Sequence, residues 1–233
     1  MKTLVVIPTY NEADNIEKLI KQIFALNIPG LEIIVVDDNS PDGTTEKVIK
    51  LQVTSDKLHL VKRAGKLGLG SAYIAGFKEA LKFGADFIFE MDADFSHDPN
   101  DIPRLLKAAQ TADLVIGSRK IPGGKIIGWN PWRKLMSIGA MWLSRLLLWL
   151  KPRDVTAGFR CFRREVLEKI DLDKITSNGY AFQEELLFRT QQAGFKITEV
   201  PVTFTDRKAG KSKLSKKDIR EFFVMMFKLK FNK

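Results

Sequence analysis

The alternation of short apolar runs with helical patterns is the feature that most constrains this fold. Runs rich in Val, Ile, Leu and Phe occupy residues 4–9, 31–36, 58–62, 86–91 and 114–117. After the first run, Asn11 is predicted to cap a helix whose apolar residues recur with helical spacing. Repeated β-α-β units of this kind predict an α/β fold, with a Rossmann-like, mostly parallel sheet covered by helices on both faces.

The length and the cysteine count limit how the chain is organised. Its 233 residues, 45% of them hydrophobic, suffice for one substantial core, so we predict a single domain over 1–233. Cys161 is the only cysteine, which excludes an intrachain disulfide and fits a reducing compartment. The chain enters the first strand almost at Met1 and lacks a signal-peptide layout, so we expect a cytoplasmic location.

Polar side chains follow four of the predicted strands. In an open parallel sheet, the ligand site lies at the carboxyl ends of the strands. The residues at these ends are Tyr10, Asn11 and Glu12, then Asp37 and Asp38, then Asp92 and Asp94, then Ser118 and Arg119. So many polar and charged groups at four strand ends are hard to explain as solvated turns, and we predict that they form one binding site.

The segment Met91-Asp92-Ala93-Asp94 places two carboxylates, one residue apart, at the end of a buried strand. This arrangement suits a hard divalent cation that keeps most of its water and bridges to a diphosphate. The alternative is an acidic turn that caps the following helix. The neighbouring polar strand ends favour the metal site.

The positive charge is concentrated near the C-terminus. The formal net charge is +10, and the densest basic stretch, at 207–217, precedes an apolar and basic segment at 222–231. This pairing favours an anionic membrane surface over a nucleic acid. No segment has the ~20 unbroken apolar residues of a membrane span, and Arg145 interrupts the closest candidate, at 135–150.

Eight short motifs, in order along the chain, carry a resemblance to a known family. They are residues 7–12 (IPTYNE), 35–44 (VVDDNSPDGT), 68–72 (GLGSA), 91–97 (MDADFSH), 116–119 (IGSR), 158–160 (GFR), 179–183 (GYAFQ) and 207–214 (RKAGKSKL). Together they resemble the family-2 glycosyltransferases of the GT-A fold and, more narrowly, the dolichyl-phosphate or polyprenyl-phosphate mannose synthases. Each motif is modest alone, but the ordered set is specific.

The resemblance implies a reaction and its partners. Mannose would move with inversion from GDP-mannose to dolichyl or another polyprenyl phosphate. Residues 1–120 would form the nucleotide-sugar-binding half, and residues 121–233 the acceptor and membrane-facing half. The protein would lie on the cytoplasmic face of a membrane, peripherally or through a membrane-anchoring subunit. The helix at 132–150 and the C-terminal segment both carry aromatic and aliphatic residues with Lys or Arg at intervals, which suits the bilayer interface. The alternative is that both pack against the core.

The resemblance also implies roles for individual residues. Asp92, Asp94 and Ser96 would hold Mg²⁺ or Mn²⁺, although some relatives have Gln in place of Ser96. The catalytic residues would be Asp94, Arg119 and Arg133, and the acceptor phosphate would be held by Arg119, Arg133 and Ser137. The residues expected to bind the nucleotide are Pro8, Tyr10, Glu12, Val36, Asp38, Lys66, Asp92, Ala93, Arg207 and Lys213.

Three other interpretations were weighed against this one. The nearest is the same fold with UDP-glucose as donor, because composition does not distinguish guanine from uracil. A nicotinamide dehydrogenase is disfavoured, since Gly65, Gly68 and Gly70 follow the third strand and do not have the Gly-x-Gly-x-x-Gly spacing. A basic nucleic-acid-binding module would need aromatic side chains interleaved with the basic ones, so we expect no nucleic acid partner.

Overall fold

A computed structural model of the protein describes residues 1–177, 179, 181–206 and 216–231, with side chains from residue 222 onward in the last segment. The strands are β1 (Thr3–Thr9), β2 (Leu31–Asp37), β3 (Leu58–Lys62), β4 (Phe87–Glu90), β5 (Leu114–Ser118), β6 (Lys125–Ile127), β7 (Arg160–Arg163), β8 (Ile197–Pro201) and β9 (Thr203–Thr205). The helices are α1 (Ile16–Ala25), α2 (Thr44–Gln52), α3 (Leu69–Lys82), α4 (Ile102–Ala108), α5 (Pro131–Leu148), α6 (Arg164–Lys169), α7 (Ala181–Gln192) and α8 (Lys216–Phe231). Short 3-10 turns lie at Pro99–Asp101 and Leu172–Lys174.

Within the described residues, seven strands form one sheet in the order β3-β2-β1-β4-β7-β5-β8. All neighbours are parallel except β7, which runs antiparallel to both β4 and β5. Strands from both halves of the chain therefore share this sheet. A second, two-stranded parallel sheet pairs β6 with β9.

Helices cover both faces of the sheet, as predicted. Alternate residues of β1 show this arrangement, because Val6 belongs to the apolar core on one face and Ile7 to the core on the other. The core around Val6 contains buried side chains from α3, α5, α6, α7 and α8. The core around Ile7 contains those from α1, α2 and α4. The mostly parallel α/β fold with a C-terminal helix is thus confirmed.

Two local predictions were wrong. Asn11 does not cap α1, which begins at Ile16; Asn11 has a φ of 62° and donates its backbone N–H to Ser40 Oγ. An additional turn, tied to the loop after β2, therefore precedes the helix. The apolar and β-branched run at 197–204 predicts one strand, but the structure divides it at Val202 into β8 and β9, which join different sheets.

Gly70 brings α3 close to α7. A methyl group on its α-carbon would lie 2.7 Å from both Phe182 Cδ2 and the carbonyl oxygen of Ser177. Such distances are too short for any side chain, so glycine is required for this packing. The close contact sets the position of the next turn of α3, which carries Tyr73 into the site described below.

Candidate active site

One cavity at the carboxyl edge of the sheet gathers many of the residues selected from the sequence. Its volume is about 1480 Å³, and its walls come from the ends of the central strands and from α5, α7 and α8. The predicted site residues that line it are Lys66, Asp92, Asp94, Ser96, Arg119, Arg133 and Ser137. Its far end is apolar and lies between α5 and α8, where Leu135, Met136 and Phe223 contribute to the wall.

The turn after β4 holds its two carboxylates through local hydrogen bonds. Tyr73 Oη donates to Asp92 Oδ1 at 2.8 Å, and the backbone N–H of Asp92 donates to His97 Nδ1 at 3.2 Å. The N–H of Ser96 donates to Asp94 Oδ1 at 3.0 Å, and Phe95 adopts a left-handed φ of 59°. The conformation of the turn is therefore specified by its own residues and by one helix behind it.

His97 supports this turn from behind. Its ring stacks on Phe159 at a centroid distance of 5.1 Å, and burial lowers its pKa, which favours the neutral form. Because Nδ1 accepts the Asp92 N–H, the proton of the neutral ring belongs on Nε2. These contacts assign His97 to shaping the turn.

The residues around the turn fit a cation that keeps part of its water. No group of three or more His, Cys, Asp or Glu side chains suited to a metal occurs in the described ranges. Asp92 and Asp94 line the cavity, and the buried Ser96 Oγ has no hydrogen-bond partner among the described residues. Two carboxylates and one hydroxyl leave coordination positions for water and diphosphate oxygens, as Mg²⁺ prefers.

Asp37 organises the strand ends beside the cavity. It is fully buried and accepts hydrogen bonds from Thr9 Oγ1, Thr45 Oγ1, and both the backbone N–H and the hydroxyl of Ser40, at 2.6 to 2.9 Å. Burial opposes its ionisation, but the hydrogen bonds outweigh burial and hold its pKa below the usual value. Asp37 thereby fixes the loops that carry the predicted nucleotide-binding residues.

Asp38 and Tyr10 are predicted to bind the nucleotide but do not belong to the cavity wall, and each lies beside a basic side chain. Asp38 is buried, pairs with Arg63 at 2.8 Å and accepts the N–H of Leu67 at 3.2 Å. Burial raises its pKa, and the charge of Arg63 only partly offsets this effect. Tyr10 is exposed and lies under the ammonium group of Lys66, which is 4.4 Å from the ring centroid.

Among the described residues, the other predicted nucleotide-binding residues outside the cavity wall are partly or fully buried. Pro8 is half-buried at the end of β1, and Glu12 accepts a hydrogen bond from Asn15 Nδ2 at 2.8 Å. Val36 and Ala93 are buried in the two apolar cores. The side chain of Val36 is fully enclosed, which leaves the backbone of this residue for the predicted contact with a nucleotide.

Both arginines predicted to hold the acceptor phosphate are paired with carboxylates. Arg119 donates from Nε and Nη2 to the two oxygens of Asp154, each at 2.7 Å, while Arg133 Nη1 lies 2.8 Å from Asp206 Oδ2. Burial opposes ionisation of Asp154, but Arg119 outweighs it and holds the pKa of Asp154 below its usual value. Ser137 lies one turn after Arg133 on α5 and lines the same cavity.

Trp129 joins the two guanidinium groups. Arg133 Cζ lies 4.3 Å from the ring centroid of Trp129, and Arg119 Cζ lies 5.6 Å from it. Arg119 Cζ is also 5.4 Å from the ring centroid of Phe204. Cation–π contacts of this kind hold guanidinium planes in place. Arg207 and Lys213, also predicted to bind the nucleotide, lie outside the described residues.

Sequence reasoning missed the carboxylates and aromatics that orient these arginines. Asp154 is 35 positions from Arg119, and Asp206 is 73 positions from Arg133. No local pattern links residues so far apart. The only local signal was that Asp154 lies just before the GFR motif at 158–160.

A fully buried arginine braces the floor of the cavity. Arg160 donates to the carbonyl oxygens of Val155, Ala157 and Gln183 at 2.8 to 2.9 Å. Burial raises the pKa of Glu90 to about 8, and the charge of Arg160 only partly offsets this effect. The guanidinium therefore ties β7, the preceding loop and the start of α7 together.

Comparisons with known proteins point to one family of enzymes. Residues 4–171 match the family model described as Glycosyl transferase family 2. An undecaprenyl-phosphate mannosyltransferase of Micrococcus luteus is 46% identical over 92% of this chain and 88% of its own length. A polyprenol monophosphomannose synthase of Mycolicibacterium smegmatis is 48% identical over 98% of this chain and 85% of its own length.

A solved structure shares the fold. A mannosyltransferase from Pyrobaculum calidifontis, in complex with GDP-Man and Mn²⁺, superposes with a TM-score of 0.61 at 20% identity. The match covers 91% of this chain and 58% of that one. At this identity the likeness shows the fold alone. Among the described residues, no helix is long and apolar enough to cross a membrane.

Proposed function

Because the chain belongs to glycosyl transferase family 2, we propose that it transfers mannose, with inversion, from GDP-mannose to dolichyl or another polyprenyl phosphate. The products are a polyprenyl β-mannosyl phosphate and GDP. One observation carries the proposal: a single cavity joins an acidic turn, two arginines and an apolar groove. These three parts match a metal-bound diphosphate, an acceptor phosphate and an isoprenoid chain, respectively.

The donor end supplies charge neutralisation. Asp92 and Asp94, with Ser96 beside them, would hold Mg²⁺ or Mn²⁺, which neutralises the charge that grows on the departing GDP. Tyr73 keeps Asp92 oriented, since burial and the neighbouring carboxylate raise the pKa of Tyr73 and its hydroxyl remains a donor. The nucleotide would extend towards Asp38 and Tyr10, at the ends of β2 and β1.

The acceptor end supplies position. Arg119, Arg133 and Ser137 would hold the acceptor phosphate, which is largely ionised near neutral pH because its second pKa is ~6. Such an oxygen needs no strong general base. It attacks the anomeric carbon opposite the diphosphate, so the new C–O bond forms as the bond to GDP breaks and its electron pair leaves with GDP.

The apolar end suits the lipid. The groove between α5 and α8 is lined by aliphatic and aromatic side chains, and several neighbouring ones are exposed on the outer surface. Trp132, Trp142 and Trp149 are 68%, 65% and 80% exposed, and Lys134 and Arg145 lie among them on α5. Exposed tryptophans with basic neighbours are typical of interfacial helices, so we infer that the protein binds a membrane surface peripherally.

A transfer assay tests the reaction. Purified protein is given labelled GDP-mannose or UDP-glucose with a polyprenyl phosphate in detergent and Mg²⁺ or Mn²⁺, and the lipid fraction is counted with and without EDTA. We expect lipid label from GDP-mannose that EDTA removes, and a β-anomer in the product by NMR. Label from UDP-glucose alone would replace the donor, and no lipid label from either sugar would reject the acceptor.

A further inference from the structure

Two buried polar side chains of the cavity wall each contain an oxygen atom without a hydrogen-bond partner among the described residues. Gln183 and Glu184 are 7% and 1% exposed, yet both line the cavity. Gln183 Oε1 and Glu184 Oε2 have no hydrogen-bond partner among the described residues. Buried polar atoms are nearly always paired, so these two require an explanation.

Glu184 is anchored at its other carboxyl oxygen, because Ser144 Oγ on α5 donates to Oε1 at 3.5 Å. This contact leaves Oε2 as the unpaired atom. In Gln183 the unpaired atom is Oε1, and the residue is held through its backbone.

Hydrogen bonds and close packing hold the backbone at these two residues. Arg160 Nη1 donates to the carbonyl oxygen of Gln183 at 2.9 Å, and the same guanidinium holds the loop before β7. The start of α7 also packs against α3 through Gly70 and Phe182. A group held in this way loses little entropy when a ligand binds.

Gln183 lies next to the acidic turn. A methyl group on the α-carbon of Gly158 would be 3.6 Å from Gln183 Nε2 and 3.7 Å from His97 Cε1. His97 in turn accepts the backbone N–H of Asp92. Gln183 is therefore close to where the diphosphate would be held, and the sugar is the donor group attached to that diphosphate.

We propose that Gln183 and Glu184 bind hydroxyl groups of the transferred hexose and thereby select the sugar. This inference rests on the proposed function, which supplies a nucleotide-sugar donor. A sugar hydroxyl both donates and accepts, so it can satisfy an amide oxygen and a carboxyl group together. Burial raises the pKa of Glu184 to about 8, which adds a carboxyl proton that a hydroxyl oxygen can accept near neutral pH.

The test couples protein variants to donors that lack single hydroxyls. Transfer from GDP-mannose and from its 2-, 3-, 4- and 6-deoxy analogues is measured with wild-type protein and with the Gln183→Leu and Glu184→Leu variants. Both kcat/KM for transfer and donor affinity by calorimetry are measured. Thr190→Val is the matched control, because Thr190 is buried on the same helix and bonds only locally, to the Leu186 carbonyl.

The expected result is a loss that depends on one hydroxyl. At least one deoxy donor should lose roughly 10- to 100-fold against wild type, and this penalty should shrink below about 3-fold in one of the two variants. Affinity for GDP alone should not change in either variant or in the control. Unchanged penalties for all four analogues in both variants would overturn the proposal.

The design separates this inference from the proposed reaction. If wild-type protein uses UDP-glucose, the deoxy series of that donor tests the same two residues. If no transfer occurs, calorimetry still compares each nucleotide sugar with its free nucleotide, and equal affinities in wild type would overturn the sugar contact. Where a leucine variant fails to fold by circular dichroism, Gln183→Met or Glu184→Met provides the same test.

Discussion

Replacing Asp37 with asparagine should destabilise the protein and loosen the nucleotide-binding loops. The substitution keeps the shape of the side chain and removes its charge. Oδ1 accepts from the hydroxyls of Thr9 and Ser40, whereas Oδ2 accepts from the Ser40 backbone N–H and the Thr45 hydroxyl. The new NH₂ group cannot take the Oδ2 position, because a backbone N–H only donates.

The amide nitrogen must therefore take the Oδ1 position, where both hydroxyls can turn to accept. All four hydrogen bonds then survive in kind but lose their charge assistance. The difference between charged and neutral hydrogen bonds is ~1 kcal/mol each. After allowance for the relief of burying a charge, we expect a loss of about 3 kcal/mol, or roughly 150-fold in the folding equilibrium.

Urea denaturation followed by circular dichroism measures this loss, and calorimetry with GDP measures the effect on binding. Asp56→Asn is the matched control, since Asp56 is exposed. A loss below ~0.5 kcal/mol at pH 7, the size of an ordinary surface change, would refute the reasoning.

The difference in stability between wild type and Asp37→Asn should also depend on pH. The pKa of Asp37 is lowered in the folded state, so its stabilisation is complete above the unfolded value of ~3.9. It is lost as the pH falls through the lower folded value. The stability gap between wild type and Asp37→Asn should therefore be constant from pH 7 to about 5 and close in more acidic solution. A gap that widens with acid would contradict this assignment.

Three further predictions concern the proposed reaction. Asp94→Asn should abolish transfer and metal-dependent GDP binding and leave the melting temperature unchanged. The control, Asp98→Asn at an exposed position, should have little effect on transfer or on GDP binding. Full turnover by Asp94→Asn would reject the metal site. Arg133→Ala should raise KM for the lipid phosphate by about 10-fold or more and leave KM for the donor near wild type. The control, Arg164→Ala on α6, should change neither KM. Equal losses for both substrates would contradict the acceptor role of Arg133. Asp154→Ala should cost about 3 kcal/mol in urea unfolding and lower kcat/KM, because it leaves Arg119 without its buried partner; a cost below ~1 kcal/mol would mean that Arg119 finds another partner.

The sheet and its helices could be predicted from sequence because their signal is local. Apolar residues recur with the period of a strand or a helix, and burial follows the period. The family resemblance, carried by eight ordered motifs, is confirmed by the family match and by relatives at 46% and 48% identity. The sequence also predicted that Asp92, Asp94 and Arg119 lie at one site, because the carboxyl ends of parallel strands meet at one edge of the sheet.

The polar start of α7 illustrates what could not be predicted. Gln183, Glu184 and Glu185 would ordinarily form a solvated first turn, yet all three are buried. Glu185 accepts the backbone N–H groups of Thr176 and Ser177 at 3.2 Å and 3.1 Å, and Arg160 holds the carbonyl of Gln183. Burial here depends on partners from other segments, which no helical period reveals.

The order of strands and the pairing of charges likewise depended on tertiary structure. The short run Arg160–Arg163 enters the sheet antiparallel between β4 and β5 and so brings Arg160 under the cavity. Asp154 lies in the loop before this strand and pairs with Arg119, which follows β5. The sequence alone determined the α/β class, the acidic turn and the edge at which the site forms, because these follow from periodicity and from strand ends. The tertiary structure alone decided which carboxylate holds which arginine and which polar atoms face the cavity, because these contacts join residues far apart in the chain.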